Sequence, residues 1–263
     1  MSEQQLEVKE FDHPPLPKNW LRTVVIIWLG QAASILTAYS SIYAGVWFVT
    51  ETTDSALMLA LASLCSMLPQ GLLAPLGGVV ADRFNRKYVL IAADAFMGTM
   101  ALIMGMIIAM GHVSVPLVLI MGALRSVGQA FHMPAMESTM PLLVPKKHVV
   151  RVNTMNQSLW SMALVVGPVL GIFLYTVVGF QMVLFLNAAG CAVACLALAL
   201  AKIPDFHDDS DEARHPIASL KAGFATLSAD RGLLILCGIV MAIMAMYTGI
   251  NSLFPLMTYD HFH

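Results

Sequence analysis

Charge is what this sequence has least of. Only 11% of its 263 residues are Asp, Glu, Lys or Arg, while 58% are hydrophobic. A water-soluble domain carries about 25% charged residues, enough to coat a globule. The shortage excludes a soluble enzyme and a disordered chain. Bases and acids nearly balance, 14 against 16. No basic excess is available to hold phosphates, so nucleic acid is not an expected partner. Cysteine is sparse too: Cys65, Cys191, Cys195 and Cys237 all lie inside apolar runs, with none in a loop. The i,i+4 spacing of Cys191 and Cys195 suits a metal or redox pair; small packing residues in a lipid-buried helix is the plainer reading. Neither metal nor cofactor is expected. Residues 1–18 are polar, contain Pro14, Pro15 and Pro17, and have no apolar core of a cleavable signal. No Gly-x-Ser-x-Gly and no His pair with a carboxylate at ligand spacing occurs, so enzyme chemistry is not expected.

What the sequence does have is apolar length. A helix needs about 20 mainly apolar residues to cross a bilayer. Stretches 23–50 and 55–81 carry no charge, 88–110 carries only Asp94, and 116–136 only Arg125. Stretch 152–201 is also uncharged and too long for one crossing, with a natural break at Gly179-Phe180-Gln181; stretch 232–257 is the last. The reading is an all-α membrane protein with seven spans, surrounded by lipid. It divides into a tail (1–19), a six-span bundle (20–201), a connecting segment (202–231) and a seventh span with a short tail (232–263). Within the connecting segment, 205–212 is acidic and reads as disordered. Ile217, Leu220, Phe224 and Leu227 follow at helical spacing, either a surface-lying amphipathic helix or a linker helix.

Thirteen of the fourteen bases fall in alternate connections, on one side of a seven-span chain; the fourteenth is Arg125. By the positive-inside rule that side is cytoplasmic. The N-terminus is then inside and the C-terminus outside.

The turn between spans two and three reads Gly77-Gly78-Val79-Val80-Ala81-Asp82-Arg83-Phe84-Asn85-Arg86-Lys87. Gly77 and Gly78 allow another helix to approach closely. Asp82 at the membrane boundary needs a partner, and Asn85 can take the left-handed conformation of a sharp turn. A positive-inside turn explains the bases but not the spacing Gly78-x-x-x-Asp82-Arg83 followed by Arg86-Lys87.

That spacing resembles the signature of the major facilitator superfamily, with Asn85 in place of its usual second glycine. Residues 125–135 and Pro141-Leu142-Leu143-Val144-Pro145 resemble the macrolide-efflux and enterobactin-exporter branch. Gly167-Pro168-Val169-Leu170-Gly171 is similar to the core of the antiporter motif. The resemblance covers roughly residues 20–260. It implies a six-helix N-terminal bundle plus one further helix, in a bacterial inner membrane. It implies export of an amphipathic drug or siderophore by proton antiport and alternating access, with Gly78, Asp82, Arg83, Arg86 and Lys87 as a conformational latch. Because the superfamily has two six-span halves, the chain is expected to be a truncated product or fragment. Transport is then weak or absent unless it forms a homodimer or pairs with a second half-chain; a non-transporting membrane partner is the alternative.

Several polar residues are candidates for a path. A cation at the centre of a span costs on the order of 2.5–3.5 kcal/mol, so Arg125 must face protein or water. Gln129 and His132 fall about 40° and 20° from it on a helical wheel. A substrate cavity is one reading of this stripe; an Arg buried against a carboxylate is the other. Asn153, Gln157 and Trp160 form a second stripe. Gln31 and Ser34 share a side of span one, with Tyr39 elsewhere. Hydrogen bonding between helices accounts for these as well as substrate contact does. The acids at or in the membrane are Asp82, Asp94 and Glu137. No acid lies in span one, where exporters of this kind often carry one, so Asp94 is the proton-coupling candidate, or else a partner of Arg83, Arg86 or Arg125. Gly167, Pro168 and Gly171 read as a helix-packing hinge.

Overall fold

The computed structural model describes residues 19–201, 203, 231–243 and 246. Among them are α1 (Trp20–Thr53), α2 (Ala56–Arg83), α3 (Arg86–Ala109), α4 (Val115–Leu142), α5 (Val149–Val178) and α6 (Phe180–Leu200), and no strand. All six are long and apolar enough to cross a membrane. Lipid leaves backbone groups no partner but their own helix, which is why apolar runs of this length become continuous helices. A shorter apolar helix, α7 (Arg231–Ile243), stands at the start of the expected seventh span. The rest of that span, the first 18 residues and the amphipathic stretch near 217–227 lie outside the described residues.

The breaks have local causes. Gly179 ends α5 with φ 87° and ψ 157°, a conformation essentially open only to glycine, and it divides the long uncharged stretch where expected. Asp54 caps α1 in the left-handed region. Pro145 and a single 3-10 turn, Lys146–His148, separate α4 from α5. At the α2–α3 turn the structure corrects one expectation. Asn85 is not left-handed: its φ is −55° and ψ 112°, and its side chain accepts from the Lys87 backbone N–H at 3.0 Å. It is an N-cap, so it holds α3 through its oxygen rather than through turn geometry.

Apart from α3 and α4, helices adjacent in sequence pack little on each other. The substantial contacts are α2 with α4, α3 with α6, α1 with α6, α1 with α5, and α3 with α4. Exchanging α1 with α4, α2 with α5, and α3 with α6 maps this set onto itself. Three crossings per unit reverse direction, so the two three-helix units are inverted copies.

Along the bundle three layers follow. One apolar cluster joins Val24, Leu90, Met136, Met140, Leu143 and Leu198 near the end where α1 begins. Another joins Val49, Leu59, Met104, Val118 and Leu184 near the opposite end. Between them lie the buried polar residues Gln31, Ser34, Asp94, Gln129, His132 and Asn187. The basic end is tied together: Lys87 Nζ donates to the Ala199 and Ala201 carbonyls closing α6, at 2.9 and 2.8 Å, and Trp20 stacks on His148 with ring centroids 5.4 Å apart.

Candidate functional site

The polar layer is a cleft. α1 brings Gln31, Ser34 and Tyr39, α3 brings Asp94, and α4 brings Arg125, Gln129 and His132. α5 contributes Trp160, and α6 contributes Asn187 and Cys191, around a narrow space of about 20 Å³. Asp94 is fully buried. Gln31 Nε2 donates to its Oδ2 at 2.9 Å, and Ser34 Oγ donates to its Oδ1 at 3.4 Å. His132 Nε2 lies 3.5 Å from Oδ2, at ion-pair distance but not aligned as a hydrogen bond. Buried polar atoms are ordinarily paired. Here the Gln31 Oε1 and both His132 ring nitrogens have no hydrogen-bond partner among the described residues.

Arg125 lines the same cleft. No carboxylate of the described residues pairs with it; the ion pairs there are Asp82–Arg86 and Asp94–His132. The reading of Arg125 as a packing cation buried against an acid is therefore not what the described residues show. Nor is Asp94 the partner of Arg83, Arg86 or Arg125. Tyr39 is also corrected: it shares the cleft with Gln31 and Ser34, because a broad face of α1 that includes Ile35 and Ala38 lines it.

The span-five stripe opens on a second cleft, between α4 and α5. Asn153, Asn156, Gln157 and Trp160 face Met133, Met136, Glu137 and Met140 across about 1010 Å³ of empty space counted to the open side. Trp160 belongs to both clefts, and Tyr39 packs edge-on against its ring at 6.0 Å. Sequence reasoning missed Asn187 and Asn156, although an amide inside an apolar span was signal enough for each. Cys191 was taken for packing. It sits beside the polar layer, 3.7 Å from Ser34 Oγ, while Cys195 Sγ donates to the Ile91 carbonyl at 3.6 Å.

At the turn, Asp82 and Arg86 pair at 3.7 Å, and Arg86 Nε also donates to the Ala81 carbonyl. Asp82 and Arg83 remain exposed. The two glycines divide their roles. Gly77 lies against the Ala130 carbonyl of α4, where a Cβ would collide with backbone, while Gly78 faces open space among the described residues. On α5, Gly167 and Gly171 bring the helix onto Tyr39 and Ser40 of α1, and Pro168 lies between them.

The family model for the Major Facilitator Superfamily matches residues 27–263. Macrolide efflux protein A of Streptococcus pyogenes is 32% identical over 247 residues, 93% of this chain and 61% of that protein. The protein of the same name in Enterococcus faecalis is 31% identical over 211 residues, 80% of this chain and 65% of its own. Multidrug efflux pump Tap of Mycobacterium bovis is 25% identical over 231 residues, 84% of this chain and 55% of its own. The chain thus spans less than two thirds of the length of these relatives. With its signature turn, its inverted three-helix units and these matches, the chain belongs to the major facilitator superfamily.

Proposed function

We propose that this chain forms the N-terminal, six-helix side of a secondary active exporter of amphipathic small molecules, macrolide-like drugs or siderophores, driven by inward proton flow. The basic end faces the cytoplasm across a bacterial inner membrane. The observation that carries the reading is Asp94, a fully buried carboxylate at the middle layer of the bundle. Gln31, Ser34 and His132 hold it within a cleft that Arg125 also lines, with no carboxylate of the described residues paired to that arginine. An ionisable residue in a membrane span is expensive and marks a transport path by default. Protonation of Asp94 removes the charge that Gln31 and His132 meet, loosening α1 and α4 from α3. The α1–α5 seam at Gly167, Pro168 and Gly171 is the packed surface along which such a movement runs. The exposed Asp82 and Arg83 then form a latch toward a second six-helix wall, from another copy of this chain or a second half-chain. The named efflux relatives support this choice of activity over membrane catalysis.

The test is accumulation of a macrolide in cells carrying the chain, with and without a proton gradient. Asp94→Asn keeps the shape and removes the titration, so gradient-dependent efflux falls to the level of cells without the protein while membrane insertion stays normal. Arg125→Ala does the same. Unchanged efflux in Asp94→Asn sinks the proton assignment; unchanged efflux in Arg125→Ala sinks the cavity assignment.

A further inference from the structure

A groove between α2 and α3 takes no part in the export reading. Val80 and Phe84 at the end of α2 form one wall, Tyr88 and Phe96 of α3 the other, and Gly128 and Phe131 of α4 the floor. It exists because α2 and α3 both pack on α4 but hardly on each other. The space is about 430 Å³. None of its lining residues is charged, and among them only Tyr88 carries a polar side-chain group. Phe84 and Tyr88 are 59% and 69% exposed, so two large rings at one end of the groove have little cover among the described residues. Rings so placed suit the boundary between lipid headgroups and hydrocarbon.

Length and charge select what covers the groove. From Tyr88 to Phe96 it follows α3 for about 12 Å, at 1.5 Å per residue. One leaflet of hydrocarbon is about 15 Å deep, half of a bilayer core. The groove therefore matches one acyl chain of one leaflet, whereas a crossing helix needs about twice that length. At the Phe84 end stands Arg83, the last residue of α2. It is exposed, and none of the ion pairs among the described residues includes it. Its neighbours are engaged: Arg86 pairs with Asp82, and Lys87 Nζ donates to the end of α6. Gly77 meets α4, and on a helical wheel Gly77 and Arg83 lie about 60° to either side of Val80, with Asp82 about 160° away. Arg83 thus stands at the rim of the groove, on the side away from α4. A guanidinium above a hydrocarbon slot matches a phosphate joined to an acyl chain.

We propose that the α2–α3 groove binds one anionic phospholipid, with an acyl chain lying along Tyr88 to Phe96 and the phosphate on Arg83. The lipid fills the gap that the fold leaves between two helices joined by the signature turn. The site is separate from the Asp94 cleft and stands or falls independently of the export reading, because it is measured as equilibrium binding without transport.

The purified full chain in detergent is titrated with phosphatidylglycerol and with phosphatidylcholine of the same acyl chains, and bound lipid is counted by native mass spectrometry. Wild type holds one phosphatidylglycerol about fivefold more tightly than phosphatidylcholine, the worth of one basic residue at a membrane surface. Arg83→Gln, checked for wild-type elution and helix content, abolishes that preference, and Arg83→Lys keeps it. Ala92→Trp fills the groove from an exposed position and weakens both lipids. A second measurement needs no variant: phosphatidylglycerol with a diazirine midway along its acyl chain crosslinks to stretches 88–96 and 127–131, read by peptide mass spectrometry. Equal affinity for the two lipids, an unchanged preference in Arg83→Gln, wild-type binding in Ala92→Trp, or crosslinks confined to other faces each overturns the proposal. Crosslinking that excess macrolide suppresses and excess unlabelled phosphatidylglycerol does not would assign the groove to a drug and overturn it as well.

Discussion

Gln31 of α1 donates from Nε2 to Oδ2 of Asp94 on α3, 2.9 Å away and 63 positions later in the chain. The two helices are not among the pairs with substantial packing; each lies instead against α6. A pair of hydrogen bonds to one carboxylate, from Gln31 and Ser34, therefore spans the polar layer between helices that otherwise keep apart. It also explains how an acid can sit at zero exposure in a helix surrounded by hydrocarbon.

Replacing Gln31 tests that bond. Gln31→Leu leaves Oδ2 of Asp94 facing only the poorly aligned His132 ring. A hydrogen bond to a charged group is worth about 1.5–3 kcal/mol, and stranding the acceptor costs at least as much. The expected outcome is a lower unfolding temperature in detergent. In the double variant Gln31→Leu, Asp94→Leu much of the loss is recovered, because the carboxylate that Gln31 met is gone as well. A double variant as unstable as the sum of the singles would show that the bond is not what Gln31 contributes.

The two glycines of the signature turn are expected to respond differently. At Gly77 a Cβ meets the Ala130 backbone, so Gly77→Ala must push α2 from α4; at Gly78 nothing lies within reach. Overpacking costs typically about 1–3 kcal/mol, whereas Gly78→Ala gains up to about 1 kcal/mol of helix propensity. Thermal unfolding of both variants in detergent decides the point. Equal stability would mean that α2 and α4 do not approach as described. Lost efflux with unchanged stability in Gly78→Ala would place its role against a second wall.

Sidedness is checked by labelling single cysteines in a background without the four native ones. Arg83→Cys and Lys146→Cys lie at the end tied together by Lys87 and Trp20, and His112→Cys lies at the other. In intact cells an impermeant maleimide is expected to label only His112→Cys. Labelling of Arg83→Cys from outside would reverse the orientation.

Most of the polar layer was legible one helix at a time. The stripe Arg125, Gln129, His132 on α4 is a wheel pattern, and the structure keeps it intact on the cleft. Asp94 stood out as an acid in a span. Its partner did not, because Gln31, Arg125, Arg83 and Arg86 were all chemically suitable, and the choice depends on how each helix is rotated. Asn85 shows the same limit at a turn: its side chain suits either a left-handed residue or an N-cap, and its own φ of −55° with the bond from the Lys87 N–H makes it a cap. The α4–α5 cleft was half visible, since Asn153, Gln157 and Trp160 form a stripe and Glu137 stood out as an acid at the membrane, but the opposite wall of methionines reads as ordinary apolar helix.

The sequence by itself determined the crossings, their breaks and the end at which the bases collect. Hydrocarbon thickness and the cost of buried charge act on each segment alone, so those properties need only one dimension to be read. The tertiary structure decided who meets whom: Gln31 rather than Arg125 on Asp94, Gly77 rather than Gly78 against α4, Glu137 facing α5. Those outcomes depend on helix rotation and tilt, which are fixed only when six surfaces pack together, and no single segment carries that information.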